Sequence, residues 1–227
     1  MTCRGPARAR RGRELAELEV LEDAAVLIDG ATIAAVGRYR DLRAHEARGA
    51  VQVVEVRGVL FPGFVDCHTH AVFGRPRVAD QERRALGADY KTIAAQGGGI
   101  LESVRDVRGR SEEELSALAR SRLTTLLAHG STTIEVKSGY GLDLETELKQ
   151  LRVIRNVAGS VGATLVPTFL GAHEVPPEFR DRRPEYVRLV AEHMVPRVAH
   201  ERLATACDVF CEPGVFDQAE TRTILDA

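Results

Sequence analysis

The chain has 227 residues, of which 44% are hydrophobic and 28% charged, and its formal net charge is −2. This length allows one large domain or two small ones with a buried core. The near-neutral charge gives no reason to expect nucleic acid or an anionic membrane as a partner, and no run approaches the ~18 apolar residues of a membrane-spanning helix. No apolar segment of a secretory signal follows the Arg-rich start. This start has the composition of a transit peptide, but we interpret it as a solvated arm of a cytoplasmic protein.

Residues 1–60 predict a partial small β domain that follows this basic arm. Apolar runs at residues 24–28 and 31–36 flank Asp29-Gly30, a pair that favours a type I′ hairpin turn. Residues 51–56 are rich in β-branched side chains and predict a further strand. We expect this unit to be part of a small β-sandwich.

From residue 61 to residue 227 predicted strands alternate with predicted helices. Repeated strand–helix units build parallel sheets with right-handed crossovers, and a closed (β/α)8 barrel contains eight of them in ~250 residues. We therefore predict an α/β fold that comprises the first four units, the N-terminal half, of a TIM-type barrel. The strands are predicted at residues 61–66, 132–136, 164–170 and 207–211.

Capping signals place the ends of the helices. Ser111 and Glu114 predict a capping box, and this helix ends before Gly130, a residue type favoured just past a helix C-terminus. The other predicted boundaries are an N-cap at Asp143, a helix end at Gly159, a helix over residues 185–200 and an N-cap at Asp217.

His68 and His70 follow the first barrel strand directly. Side chains two residues apart on a strand point to the same side, and active sites of barrels lie at the C-terminal ends of their strands. Neutral imidazoles suit Zn²⁺ or Fe²⁺, and two of them need at least one more protein ligand. The pair can also be ordinary polar residues, but its position favours a metal site. Asp66 shares this face and either holds a histidine ring or bonds to the backbone.

Two further pairs of polar residues lie on predicted strands. Glu135 and Lys137 alternate onto one face of the second strand and are expected to pair inside the barrel. Asp208 and Glu212 share a face of the fourth strand, where Glu212 is a candidate site residue. Cys207 and Cys211 are read as small buried residues.

Longer motifs resemble a known family. The segment Pro62-Gly63-Phe64-Val65-Asp66-Cys67-His68-Thr69-His70 resembles the first-strand signature of the amidohydrolase superfamily. Within that superfamily the chain is similar to the imidazolonepropionase family, which opens a ring during histidine degradation. The matching stretches are residues 70–74, residues 96–100, EVKSGYGLDLE at 135–145 and PTFLGAHEVPP at 167–177.

The resemblance implies roles for five residues. His68 and His70 would bind one metal ion, zinc or iron, while Arg77, Tyr140 and His173 would contact the substrate. An Arg fork suits the carboxylate of the substrate, and the alternative for Arg77 is a solvated surface residue. Arg75, Arg83 and Arg84 are nearby competitors for the same role, so position alone does not select Arg77. A histidine at the rim can donate to a substrate oxygen or shuttle a proton, which makes His173 the candidate catalytic residue.

The implied reaction is hydrolysis of a carbon–nitrogen bond in a cyclic amide, 4-imidazolone-5-propanoate, to N-formimino-L-glutamate. The family takes its remaining metal ligands from later strands, so we expect these 227 residues alone to bind metal poorly and to be inactive. The resemblance suggests a homodimer with a small-molecule substrate. The alternatives are another amidohydrolase, such as a nucleobase-type deaminase, and a non-catalytic scaffold or fragment.

Overall fold

A computed structural model describes residues 1–2, 4–5, 8–44, 52–89, 92–93 and 98–227 of the chain. The fold divides into two compact units, Met1–Pro62 and Gly63–Ala227, each of which is described by itself. No helix in these described ranges is both long and apolar enough to cross a lipid bilayer.

The first unit contains the predicted hairpin. Strands β1 (Ala24–Asp29) and β2 (Thr32–Arg38) pair antiparallel, and Asp29 lies opposite Thr32. The turn residues are therefore Gly30 and Ala31, one position later than predicted. Only Gly30 of these two has a positive φ, +56°, so the turn is not type I′, which requires a positive φ at both positions. A 3-10 helix, Gly12–Ala16, precedes the hairpin and one helical turn, α1 (Tyr39–Leu42), follows it.

The strand predicted at residues 51–56 is wrong in its described part, because residues 52–56 form no strand; Val51 lies outside the described residues. Val53, Val54 and Val56 are 51%, 73% and 69% exposed. Residues with strand propensity form a strand only when they pair with a neighbouring strand and pack against it. Among the described residues, no strand pairs with residues 52–56. The described part of the unit holds a two-stranded sheet, and the predicted β-sandwich is not confirmed.

The second unit is built on one parallel sheet. Its strands are hydrogen-bonded in chain order, β3-β4-β5-β6, and every neighbouring pair is parallel. The predicted α/β class and the four predicted strands are confirmed. Their bounds are β3 (Phe64–Asp66), β4 (Ser131–Lys137), β5 (Thr164–Ala172) and β6 (Ala206–Val209).

Helices connect these strands. The predicted capping box is present, because Ser111 Oγ accepts from Glu114 N at 3.1 Å and Ser111 N donates to Glu114 Oε2 at 3.0 Å. Asp143 and Asp217 cap their helices through side-chain oxygens, as predicted. The helices are α2 (Val78–Ala85), α3 (Ile100–Gly109), α4 (Glu112–Ala128), α5 (Leu144–Val161), α6 (Arg183–Arg188), α7 (Val195–His200) and α8 (Gln218–Leu225), with a 3-10 turn at Pro177–Arg182 and a π-helical segment at Leu189–Met194.

Three predicted boundaries are wrong. Strand β3 begins at Phe64 rather than at residue 61. Helix α5 continues past Gly159, and it ends at Gly162, whose φ of +76° is the left-handed conformation favoured at a helix end. Strand β6 ends at Val209, so Cys211 and Glu212 are exposed loop residues rather than strand residues. These errors arise because residue type alone does not show which backbone groups form hydrogen bonds in the folded chain.

The core of the second unit lies between the sheet and the helices that cross it. Branched apolar side chains from α4 and α5 pack with those of β4, and all are almost fully excluded from solvent. The central members are Leu115, Leu123, Ile134, Val136, Leu148, Leu151 and Ile154. This packing places the carboxyl ends of the parallel strands along one edge of the sheet, where a site can form.

Candidate active site

Four aromatic rings meet at the carboxyl edge of the sheet. His68 and His70 follow β3, Tyr140 follows β4 and His173 follows β5. The ring centroid of His70 lies 5.6 Å from that of His68, 5.1 Å from Tyr140 and 4.9 Å from His173. Four residues that lie up to about a hundred positions apart in sequence are thus brought together, and Phe210, after β6, borders His173 at 5.8 Å.

The imidazole of His70 is held neutral. Its pKa is lowered to about 3, mainly by burial and also by the neighbouring His173, His68 and Lys137, while the Ser138 backbone opposes the shift. Its Nδ1 is buried and has no hydrogen bond of good geometry to any described residue. A neutral ring with an unsatisfied nitrogen is the state that metal coordination requires.

His68 and His70 therefore fit part of a metal site. The rings lie side by side, and His68 is exposed while His70 is mostly buried. Among the described residues, however, no three His, Cys, Asp or Glu side chains stand together where they could hold one ion. Catalytic zinc takes three protein ligands, and this pair of histidines by itself offers only two.

The orientation of His173 follows from its hydrogen bond. Its Nδ1 lies 2.9 Å from the carbonyl oxygen of Gly139, and a carbonyl can only accept, so Nδ1 carries the proton. Burial lowers the pKa of His173, which keeps the ring neutral. In that state Nε2 carries no proton, so it is the nitrogen that can accept one.

Arg77 lies on the segment between β3 and α2, as the N-cap residue of α2. Its side chain is half-buried, and its Nε lies 3.9 Å from Oδ2 of the buried Asp80. Together with Phe73 and Tyr140, Arg77 lines a cavity of about 290 Å³. Arg75 and Arg84 line the same cavity. The structure therefore places Arg77 near Tyr140 but does not distinguish it from these two arginines as the one that would bind a carboxylate.

A guanidinium fixes the backbone that leads from His70 to Arg77. Arg122, on α4, donates to the carbonyl oxygens of Ala71, Phe73 and Gly74 at 3.1, 2.5 and 2.6 Å. It also lies 3.4 Å over the ring of Phe73. Buried carbonyls need donors, and this one side chain satisfies three of them.

The predicted pairing of Glu135 with Lys137 is present. Lys137 Nζ lies 2.7 Å from Glu135 Oε1 and 2.9 Å from Asp208 Oδ2. Burial opposes its protonation, but the hydrogen bonds to the two carboxylates raise the pKa of Lys137 overall. The protonated ammonium serves as the centre of an ion-pair cluster.

Two other predicted polar residues lie outside this arrangement. Asp66 accepts from the backbone N of His68 at 3.4 Å, which is the backbone role considered for it. Glu212 is exposed in the loop after β6 and does not share a strand face with Asp208. Of the glycine-rich segment at residues 96–100, positions 96 and 97 lie outside the described residues.

The sequence analysis does not predict two buried polar residues that lie next to the site. Glu147 and Gln150, on α5, are both 0% exposed and bind the backbone beside Tyr140. Their burial could have been predicted from their positions on the helix, because Glu147 lies on the same face as Leu151 and Ile154. A charged side chain at a position that a periodic pattern assigns to the core indicates a specific partner.

Comparison with known proteins identifies similar sequences. The chain is 49% identical to an imidazolonepropionase from Symbiobacterium thermophilum over 96% of the chain and 52% of that protein. It is 45% identical to one from Solibacter usitatus over 100% of the chain and 54% of that protein. For one from Rubrobacter xylanophilus the identity is 49%, over 96% and 52% respectively. The chain spans about half the length of the curated relatives it matches, and no protein-family model matches it.

Proposed function

Because the chain is homologous to imidazolonepropionases over essentially its whole length, we propose that it forms part of a metal-dependent hydrolase that opens the ring of 4-imidazolone-5-propanoate. The product would be N-formimino-L-glutamate, formed by water adding to a carbon–nitrogen bond of a cyclic amide. The observation that carries the proposal is the meeting of His68, His70, Tyr140 and His173 at one sheet edge.

His68 and His70 are the residues that would hold the metal ion, zinc or iron. The low pKa of His70 supports this role, because a protonated imidazole cannot coordinate. A bound ion would acidify the attacking water and polarise the ring carbonyl. Further ligands have to come from outside the described residues, since these provide no third side chain for the ion.

Arg77, Tyr140 and His173 would contact the substrate. The guanidinium of Arg77 would bind the propionate carboxylate, a planar partner that it can engage with two parallel hydrogen bonds. Tyr140 lines the same cavity as Arg77 and would form part of the wall against the ring. His173, with its proton on Nδ1 and a free Nε2, is the proposed proton acceptor at the reacting end.

The remaining features of the proposal concern the whole protein. The four-stranded parallel sheet is proposed as the first half of a (β/α)8 barrel that begins near residue 61, preceded by a small β domain over residues 1–60. A homodimer and a cytoplasmic location are expected of an enzyme of this kind. Neither nucleic acid nor a membrane is proposed as a partner.

The test compares the 227-residue chain with the protein translated from its complete gene, including any codons that follow residue 227. We expect the latter to hold about one metal ion per chain and to convert imidazolone propionate, because a catalytic site needs ligands beyond two histidines. The 227 residues alone should bind the ion poorly and show no turnover. Metal analysis and mass spectrometry of the product measure both.

The product also separates this function from its rivals. Ring opening by water releases no ammonia, whereas a nucleobase-type deaminase would release it. A metal-loaded protein that leaves imidazolone propionate unchanged would contradict the proposed function, and absence of metal would favour a non-catalytic scaffold. Turnover by the 227-residue chain at an ordinary enzyme rate would contradict the need for further ligands.

A further inference from the structure

The loop that carries Tyr140 is bound along its whole backbone by two side chains of one helix. We call residues 139–142 the Tyr140 loop; it follows β4 and has no strand or helix of its own. Glu147 accepts from the backbone N of Gly139 at 3.0 Å, Gly141 at 2.8 Å and Leu142 at 2.9 Å. Gln150 accepts from Tyr140 N at 3.0 Å. Four consecutive N–H groups thus point at α5.

Glu147 is an unusual residue to bury. It is fully excluded from solvent, and among the described residues it has no ion-pair partner. Burial raises the pKa of Glu147, and hydrogen bonds from the loop backbone and the Ser138 hydroxyl oppose that shift. Burying a carboxyl group is costly unless hydrogen bonds compensate, and here three of the compensating donors are backbone N–H groups of the Tyr140 loop.

The same two side chains reach the rest of the site. Gln150 Nε2 donates to Val72 O at 2.9 Å, two residues after His70. Gly139, whose N–H binds Glu147, uses its carbonyl oxygen to accept from Nδ1 of His173 at 2.9 Å. These bonds connect the backbone that follows His70 directly to α5, and they connect the ring of His173 to α5 through Gly139.

Two glycines make this approach sterically feasible. A Cβ on Gly141 would lie 2.6 Å from the backbone N of Glu147, and one on Gly139 would lie 2.8 Å from Nδ1 of His173. Gly139 also has a φ of +105°, which side chains rarely adopt. The loop can therefore approach the helix and His173 closely only with glycine at these positions.

We propose that Glu147 and Gln150 are positioning residues for the reaction: they fix Tyr140 and the Nδ1-protonated form of His173 against His70. The inference rests on the proposed function for its kinetic consequence, but its structural content concerns hydrogen bonds of this chain. Two side chains, one turn apart on α5, orient rings contributed by three different strands.

The first test is Glu147→Gln in the protein translated from its complete gene. The amide matches the carboxylate in shape but keeps one oxygen, so either Gly139 N–H or the pair from Gly141 and Leu142 loses its acceptor and faces an NH₂ group. Glu145→Gln is the matched control, because Glu145 is exposed on the same helix.

The primary readout is the tautomer of His173, observed through the ¹⁵N resonances of its ring. Wild type and Glu145→Gln should show the proton on Nδ1, and Glu147→Gln should show a mixture of tautomers. We also expect kcat/KM to fall roughly tenfold or more at unchanged metal content, since small misplacements of catalytic groups cost up to ~100-fold in rate.

A second variant tests the proposal if Glu147→Gln does not fold. Gln150→Met keeps the length of the side chain and removes both hydrogen bonds, so we expect a raised KM through Tyr140 with a smaller effect on the tautomer of His173. If Glu147→Gln does not fold, this variant decides. If both variants retain the wild-type tautomer and kcat/KM within about twofold, or if neither folds, specific positioning is rejected. A wild-type protein without ring-opening activity would refute the proposed function, while the tautomer readout would still decide this inference.

Discussion

His70 and His173 stack with their centroids 4.9 Å apart and their planes within 10° of parallel. Burial lowers the pKa of both rings, to about 3 for His70, so they face each other as neutral imidazoles without charge repulsion. Their environments nevertheless differ: Nδ1 of His173 is engaged by Gly139 O, whereas Nδ1 of His70 is buried without a partner among the described residues. The difference supports a metal-binding role for His70 and a proton-transfer role for His173.

Arg77 offers a direct test of substrate recognition at the level of one side chain. Arg77→Lys keeps the positive charge but loses the planar fork that binds a carboxylate bidentately. We expect KM to rise about tenfold, equivalent to about 1.4 kcal/mol of binding, with kcat little changed. Steady-state kinetics with imidazolone propionate measures this.

Arg155→Lys, an exposed position on α5, is the control for the general effect of such a substitution. Equal kinetic parameters for Arg77→Lys and the wild type would assign carboxylate binding to one of the neighbouring arginines, Arg75 or Arg84, which line the same cavity.

At the scale of elements, the last helix is attached to the preceding crossover by a bidentate ion pair. Arg183, at the start of α6, binds Glu220 of α8 through Nε at 2.6 Å and Nη2 at 2.7 Å. Glu220 also accepts from Asp217 N at 2.9 Å and so completes the capping box of α8. One carboxylate therefore fixes both the start of the helix and its contact with a neighbouring helix.

This pair predicts a defined pH dependence of stability. The hydrogen bonds from Arg183 lower the pKa of Glu220, so its folded value lies below its unfolded value. The contribution is present above the unfolded pKa and is lost as the pH falls through the folded pKa. We expect Glu220→Gln to lower the free energy of unfolding by about 1 kcal/mol near neutral pH, a value reduced by partial exposure.

Urea unfolding at about pH 7 and about pH 3 should show this difference from the wild type shrinking at the acidic pH, where the wild-type carboxyl is itself protonated. Glu192→Gln, an exposed position, should show no such trend. A difference of equal size at both pH values would mean that the ion pair does not stabilise α8.

The sequence predicts a helix end correctly where that end is set by residues nearby in the sequence. The capping box of Ser111 and Glu114 and the cap at Asp143 act within one helical turn, and all were predicted at the right residue. Gly159 predicts a helix end because glycine weakens helices, yet α5 continues to Val161. Its packing, which includes Leu151 and Ile154, outweighs that local preference.

At the scale of the whole molecule, the sheet of the second unit has apolar residues exposed on its first and last strands or beside them. Phe64 and Val65 of β3 are 55% and 68% exposed, and Phe210, directly after β6, is 44% exposed. These two strands are the edges of the four-stranded sheet. Exposed apolar edge strands favour pairing with other chains.

We therefore expect the 227-residue chain by itself to self-associate as its concentration rises. Val65→Lys should reduce the association, because a charged side chain on an edge strand opposes edge-to-edge pairing. Sedimentation velocity over a range of concentrations measures it. Leu86→Lys is the control, since Leu86 is 88% exposed but lies at the end of α2. A chain that stays monomeric, or an equal effect of both substitutions, would show that the sheet edges are not the cause.

The amino-acid sequence by itself determined which side chains are candidates for the site and the order of the strands and helices of the second unit. His68 and His70 after an apolar strand, the periodic helices and their caps are local patterns, and sterics and hydrogen bonding act on them within a few residues. The long motifs around Tyr140 and His173 likewise carried the resemblance to the imidazolonepropionases without any structure.

Only the tertiary structure decided how those groups are placed and charged. The tertiary structure buries His70 and so keeps it neutral. It also brings Nδ1 of His173 to Gly139 O, and it brings the four N–H groups of the Tyr140 loop to Glu147 and Gln150. Burial and hydrogen-bond geometry depend on residues distant in sequence, so no local pattern specifies them. The same reason explains the exposed valines at residues 52–56, which have strand propensity but no partner strand in the described part of their unit.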